Sequence, residues 1–412
     1  MPTTKQEITT QNTSDKVPRV QDKQPDTPPR LQPATEDLIP IAAPVFAGNE
    51  REYVLDCMDS GWISSCGKYV ELFENRFAEF CQVRHAVACC NGTVALHLAL
   101  LALGVTRDVE VIVPTLTFVA TANAVTYCGA RPVFADVEPK TWNMDATRLE
   151  SLITKRTKGI IAVHLFGLPA DMDAIRKVAD RHNLFVLEDA AEAHGALYEG
   201  RPVGGLGDMA TFSFYGNKIL STGEGGMVMT NDDALAAQAR LLRGQGMDAT
   251  RRYWFPVIGY NYRMMNLPAA IGLAQLERAD WHIARRHEIA AWYREELADM
   301  HGITFQFAPE WARHAEWLVT VLLEEKYTFA RDELMARLYS RGIETRPMFY
   351  PVHTLPPYIE GGALPVTLPI AEGLAPRGLC LPTWAGLTRS DVHKVCNNLR
   401  DCLESISIER SA

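Results

Sequence analysis

From His85 onward, short runs of apolar and β-branched residues alternate with longer segments of helical period. The runs are His85–Cys89 (HAVAC), Glu110–Pro114 (EVIVP), Arg131–Val137 (RPVFADV), Gly159–Gly167 (GIIAVHLFG), Leu184–Ala190 (LFVLEDA), Met209–Tyr215 (MATFSFY) and Gly226–Asn231 (GMVMTN). Their length and composition predict seven strands. Several are apolar on both faces, and helix-length segments such as Thr93–Leu103 and Ala170–His182 separate most of them. That pattern predicts an α/β domain around a largely parallel sheet covered on both sides. The last two runs are joined by a stretch with no helical period, GNKILSTGEGG, which predicts one departure from simple α/β winding.

Beyond residue 268 the pattern changes. A helical stretch over Ala269–Met300 is followed by a strand-like run, Glu316–Glu325 (EWLVTVLLEE), and by helical segments at Phe329–Ser340 and Ser390–Ser405, which predict a smaller α+β domain. Residues 1–38 hold six prolines and almost no apolar periodicity, so they cannot bury enough surface to offset chain entropy and are expected to form a disordered tail. The expected organisation is thus a tail over 1–38, a large domain over 39–268, and a linking helix with a small domain over 269–412.

Composition narrows the partners. A formal net charge of −9 over 412 residues argues against a general nucleic-acid or anionic-membrane partner, so any phosphate must be met locally. The longest apolar run, Val94–Val105, is interrupted by His97 and is too short to span a bilayer. The N-terminus lacks the apolar centre of a secretory signal, and the cytoplasm is the expected compartment. Nine cysteines with no C-x-x-C pair fit neither a disulfide framework nor a zinc site; they are expected to be mostly reduced core thiols, with no metal bound.

In an open α/β sheet ligands gather beyond the carboxyl ends of the strands, and four features lie there. Asn91-Gly92-Thr93 opens a helix whose free amides suit a phosphate or, more simply, mark an N-cap. LEDAAEAHG crowds Glu188, Asp189, Glu192 and His194 at the end of an apolar strand, costly unless something cationic faces them. Phe118 follows the second strand, where a flat side chain could cover a ring. Ser213 lies in the sixth strand, and Lys218 follows between Tyr215 and the TGEGG turn. A phosphate site, a strand-end acid, an aromatic cover and a constrained lysine are together what pyridoxal phosphate requires: the lysine bonds to its aldehyde and the acid keeps its ring nitrogen protonated.

The runs LEDAAEAHG, FSFYGNKILSTGEGGMV and YWFPVIGYNYRMMNLPAAIGLAQLER resemble the sugar aminotransferases of the DegT/DnrJ/EryC1/StrS family, from about Ile39 to near the C-terminus. The resemblance implies the fold type I architecture of pyridoxal phosphate enzymes. It implies that Lys218 bonds to the cofactor, Asp189 pairs with the ring nitrogen, Phe118 stacks on the ring, and Gly92, Thr93 and Ser213 meet the phosphate. Asn261 would reach the phosphate of a neighbouring subunit, making a homodimer with shared sites, and Glu192 stands where many relatives place a glutamine near the ring hydroxyl. Trp62, Ser64, Arg243, Tyr350 and His353 lie in segments that face the nucleotide sugar in relatives. The motifs SGWISSCGKYV and RPMFYPVHTLPPY point within the family to amination of a GDP-linked 4-keto-6-deoxymannose with L-glutamate as donor, 2-oxoglutarate leaving. A UDP- or dTDP-linked sugar, or a catalytically silent binding protein on the same fold, are the alternatives.

Overall fold

The computed structural model describes residues 38–360 and 366–411, so the tail expected over 1–38 lies, but for its last residue, outside the described residues. The seven apolar runs become β1 (His85–Cys89), β2 (Glu110–Pro114), β3 (Arg131–Ala135), β4 (Thr157–Val163), β5 (Phe185–Asp189), β6 (Met209–Ser213) and β7 (Gly226–Thr230). They form one sheet in the order β1-β7-β6-β5-β4-β2-β3. All neighbouring pairs are parallel except those that β7 makes with β1 and β6. The expected departure from α/β winding is therefore the β6–β7 hairpin. Because β1 and β6 flank the one reversed strand, both end on the same edge as β2, β4 and β5, and the chemistry collects there.

Helices cover both faces. They are α1 (Glu50–Ser60), α2 (Lys68–Cys81), α3 (Gly92–Ala102), α4 (Ala120–Tyr127), α5 (Met172–Arg181), α6 (Asp233–Arg243) and α7 (Asn266–Glu277). Helix α3 is buried from Ala95 to Leu100, His97 included, as its largely apolar run predicts, and α4 and α6 belong with it to one core layer. On the other face Phe73 and Phe77 of α2 pack edge-on against Phe212 and Phe214 at the end of β6. The caps are legible in sequence: Asp171 accepts from the Ala174 amide at 3.1 Å, and Asp232 from those of Ala234 and Leu235 at 2.7 and 2.9 Å.

Three expectations need correction. The helical stretch over Ala269–Met300 is two helices, α7 and α8 (Ala279–Glu296), separated at Arg278, whose amide turns back to Gln275. The fourth run stops being a strand at Val163: Leu165–Gly167 is a tight turn with Phe166 at φ +56°. In the run Glu316–Glu325 only Thr320–Leu323 is a strand, because the amides of Ala315 and Trp317 instead pair with the carbonyls of Gly167 and Phe166.

The C-terminal portion holds an antiparallel sheet of β8 (Ile303–Phe305), β9 (Thr320–Leu323), β10 (Arg346–Pro347) and β11 (Gly378–Cys380), in the order β8-β9-β11-β10. Its core joins Ile289 and Tyr293 of α8, Leu334 and Leu338 of α9 (Arg331–Ser340), and the helix Arg389–Ser411. A ribbon of Leu197–Tyr198, Arg201–Pro202 and Ala312–Arg313 ties the chain before Trp317 to the region that follows β5. Among the described residues no helix is long and apolar enough to cross a membrane, and no cluster of three or more His, Cys, Asp or Glu could hold a metal. All nine cysteines are free, six of them buried.

Candidate active site

The loop from β6 to β7 is tied to itself at both ends. Phe214 and Gly225 are joined through the Phe214 amide at 2.8 Å, Thr222 donates to the Phe214 carbonyl at 2.8 Å, and Gly223 takes φ +82°, which only glycine adopts without strain. Lys218 caps a turn of this loop, its amide on the Tyr215 carbonyl at 2.9 Å. Its side chain is 11% exposed. The amine lies 4.0 Å from Glu192 Oε1 and 4.0 Å from the centre of the Trp317 ring. Burial pushes the Lys218 amine below the usual lysine range, against the opposing pull of Glu192 and Asp189.

Asp189 ends β5 as a buried carboxylate. Oδ2 accepts from the Thr121 hydroxyl at 2.7 Å, and Oδ1 from the Ala191 amide at 3.2 Å. Burial raises its pKa, only partly offset by those two donors and by Lys218 and His164. Glu192 follows in the next turn, where Oε2 accepts the Phe166 amide at 2.7 Å. Burial pushes its carboxyl up to about 7, with Lys218 pulling the other way. The left-handed turn at Phe166 is what aims that amide at Glu192.

Glu188, fully buried one residue before Asp189, has a different fate. Alternation along the strand sends the two side chains to opposite faces. Oε1 of Glu188 accepts the amides of Leu206 and Gly207, both at 2.7 Å, and Oε2 accepts the Gly204 amide at 2.9 Å. His164 completes the set at 3.1 Å; its Nδ1 accepts the Ala170 amide at 3.0 Å, so the neutral ring carries its proton on Nε2 and donates it to Glu188. For Glu188, three backbone amides and a histidine ring thus stand in place of the expected cationic partner. His194, the remaining member of the cluster, is buried among Phe77, Phe212 and Phe214, where desolvation lowers its pKa to about 3.

The start of α3 faces Ser213. A Cβ on Gly92 would sit 2.7 Å from Ser213 Cβ and 3.0 Å from its hydroxyl, so only glycine lets the helix terminus and the β6 end approach this closely. Asn91 is the N-cap, accepting the Val94 amide at 3.0 Å, while the amides of Gly92 and Thr93 belong to a first turn with no intrahelical acceptor. Phe118 is 54% exposed at the entry to α4, its ring 5.9 Å from that of Phe349. A phosphate cradle, a buried carboxyl, an open aromatic face and a desolvated lysine fit pyridoxal 5'-phosphate.

The other sequence-selected residues have hydrogen-bond partners or exposure of their own. Asn261 is exposed and its Oδ1 accepts from Arg263 at 2.8 Å. Trp62 and Ser64 are exposed; their carbonyls hold the Asn266 side chain and amide, and Trp62 lines a cavity of about 300 Å³ with Asp56, Lys68 and Asn266. Arg243 is taken up by Glu74 at 2.5 Å and the Ala88 carbonyl at 2.7 Å, tying α6 to α2 and β1. His353 is buried with one ring nitrogen on Thr115 at 2.6 Å and the other on Glu372 at 3.0 Å, while Tyr350 is 57% exposed. Sequence reasoning missed Thr121, Phe166 and Trp317. Thr121 is a polar residue in an apolar helix start, a signal that was available; Trp317 sits inside an apolar run and gives none.

The model of the DegT/DnrJ/EryC1/StrS aminotransferase family matches residues 45–400. The chain is 56% identical over 358 residues to a GDP-perosamine synthase of Caulobacter vibrioides, covering 87% of this chain and 96% of the relative. It is 48% identical over 363 residues to a GDP-perosamine synthase of Escherichia coli O157:H7, covering 88% and 98%. A solved structure of DesI, described in the presence of its TDP-sugar product, superposes with a TM-score of 0.85 at 36% identity, covering 92% of this chain and 97% of that one.

Proposed function

The chain belongs to the DegT/DnrJ/EryC1/StrS aminotransferase family, and on that premise we propose that it moves the amino group of L-glutamate to C4 of a GDP-linked 4-keto-6-deoxymannose, giving GDP-perosamine. The observation that carries the reaction type is the desolvated lysine, Lys218, at the strand-edge site with Asp189 and Glu192. The sugar rests on the likeness to relatives named GDP-perosamine synthase.

The cofactor is pyridoxal 5'-phosphate, which when bound supplies an aldehyde that takes up the amino group and a protonated ring that draws off the electron pair of the breaking C–H bond. The amides of Gly92 and Thr93 and the Ser213 hydroxyl would hold the phosphate. Asp189, kept in place by Thr121 and Ala191, would hold a proton on the ring nitrogen. Phe118 offers the open face that covers the ring. Lys218 would take the proton from the α-carbon of glutamate and give it up to the bound cofactor, and in the second half of the cycle would take one back and deliver it to C4 of the sugar. Overall the amino group of glutamate and the ketone oxygen of the sugar change places, with one water consumed and one released. Burial around Lys218 limits the contact of its amine with bulk solvent during each transfer.

Asn261 completes the phosphate site of a second copy in this reading. Its support is the exposure of Asn261 itself and of Trp254, Phe255 and Ile258 just before it, an apolar surface suited to a homodimer. Sedimentation at the mass of a single chain would remove this part. The reducing cytoplasm is the proposed compartment, in keeping with nine free cysteines. The deciding experiment offers GDP-, dTDP- and UDP-linked 4-keto-6-deoxy sugars to glutamate-treated enzyme and identifies the products by mass spectrometry. GDP-perosamine is expected; an amino sugar formed only on dTDP or UDP overturns the substrate.

A further inference from the structure

One wall of the lysine pocket is neither acid nor base. Lys218 Nζ lies 4.0 Å from the centre of the Trp317 ring, on a side chain only 4% exposed. The indole is fixed from several directions. Nε1 donates to the carbonyl of Asn217 at 2.9 Å, one residue before the lysine, so indole and amine share a frame. The Trp317 amide donates to Phe166 at 3.1 Å, its carbonyl accepts from the Arg286 guanidinium, and its ring stacks on Phe166 at 6.3 Å and 18°. The turn that swings it inward is at Glu316, whose φ of +55° is a strained, left-handed backbone for a residue with a side chain. That turn is clamped by the Glu316 amide on His314 Nδ1 at 2.8 Å and the Glu316 carboxylate on Arg294 at 2.6 Å. Phe166 in turn stacks on Phe349 at 5.6 Å, and Phe349 meets Phe118, so a continuous file of rings runs from the lysine to the open aromatic face.

The charged and titratable groups that act on the amine are Glu192, Asp189, Arg346 and the buried ring of His194. Both carboxylates attract the ammonium, but each is also a base that competes for its proton. An indole face attracts a cation through its quadrupole and has no lone pair to accept a proton. A lysine that must take a proton from one carbon and deliver it to another needs a resting place of that kind. We propose that Trp317 is a positioning residue for Lys218, docking the ammonium on its indole face and releasing the neutral amine. This rests on Lys218 being the working lysine, and the test reads the amine itself.

The full-length chain is stripped of cofactor, and the titration of Lys218 is followed by competitive acetylation and peptide mass spectrometry across pH. Trp317→Leu is expected to lower the apparent pKa of Lys218 by about one unit, and Trp317→Phe by less. Global replacement of tryptophan by 5-fluoro- and then trifluorotryptophan, which weakens the ring quadrupole while keeping its shape, is expected to lower it in steps and to do nothing in the Trp317→Phe background. Should Trp317→Leu fail to fold, the fluorinated series still decides. An unchanged titration in the fluorinated protein overturns the proposal. A Lys218→Ala protein that still turned over would instead overturn the proposed function, leaving the titration result standing.

Discussion

Glu188 and Asp189 are neighbours on one strand, both buried, and the chain treats them in opposite ways. Glu188 has four hydrogen-bond donors, three of them backbone amides, and nothing is left for it to do but hold the Gly204–Gly207 loop against His164 and β5. Asp189 has two donors, a raised pKa, and a desolvated lysine close enough to act on it. A buried acid that is fully satisfied builds structure; one left short of partners is a candidate to meet a ligand. The same contrast separates Arg243, consumed by Glu74 and Ala88, from Lys218, whose nearest carboxylate oxygen is 4.0 Å away.

The contrast can be broken by mutation. Lys218→Ala should cost roughly 10⁴-fold or more in turnover while the thermal transition of the stripped protein stays close to wild type, because a desolvated amine is removed rather than a packed one. Glu188→Ala should do the reverse: urea denaturation should report a loss of about 3–5 kcal/mol, since three amides and His164 lose their acceptor. Asp189→Asn keeps an acceptor for Thr121 and should leave stability nearly intact, yet slow the glutamate half-reaction about 10²-fold, read by stopped-flow absorbance. If Glu188→Ala and Asp189→Asn proved alike in both measurements, the division into structural and working acids would be wrong.

Glu192 gives the smallest and most diagnostic effect. Its carboxyl rises to about 7 in the folded chain, from an ordinary value near 4.5. A raised pKa contributes stability that is full below the ordinary value and lost as pH climbs through the folded one. The stability of the cofactor-free wild type relative to Glu192→Gln should therefore fall by on the order of 2 kcal/mol between pH 4.5 and pH 8. Denaturation at the two pH values checks it, and a constant difference would place Glu192 with Glu188 among the satisfied acids.

The strands of the large sheet were legible because each is a short apolar run, and a departure from α/β winding between β6 and β7 was legible because no helical period separates them, though their antiparallel pairing was not. Lys218, Asp189 and the Asn91-Gly92-Thr93 turn were legible because each stands at a strand end, where this architecture puts ligands. Trp317 was not: its run was apolar enough to be taken whole as a strand, and the pairing of Ala315 and Trp317 with Gly167 and Phe166 is a contact between segments about 150 residues apart, with no local signature. The split at Arg278 was likewise hidden, since no glycine or proline marks the junction of α7 and α8.

Sequence alone settled what depends on neighbours along the chain: strand periodicity, helix caps, and which residue types stand at the sheet's edge. Tertiary structure alone decided which acid is spent and which is free, where Arg243 and His353 are committed, and which ring faces the lysine. The reason is physical. Hydrogen-bond satisfaction and desolvation are set by all the groups that fold around an atom, and those groups come from everywhere in the chain.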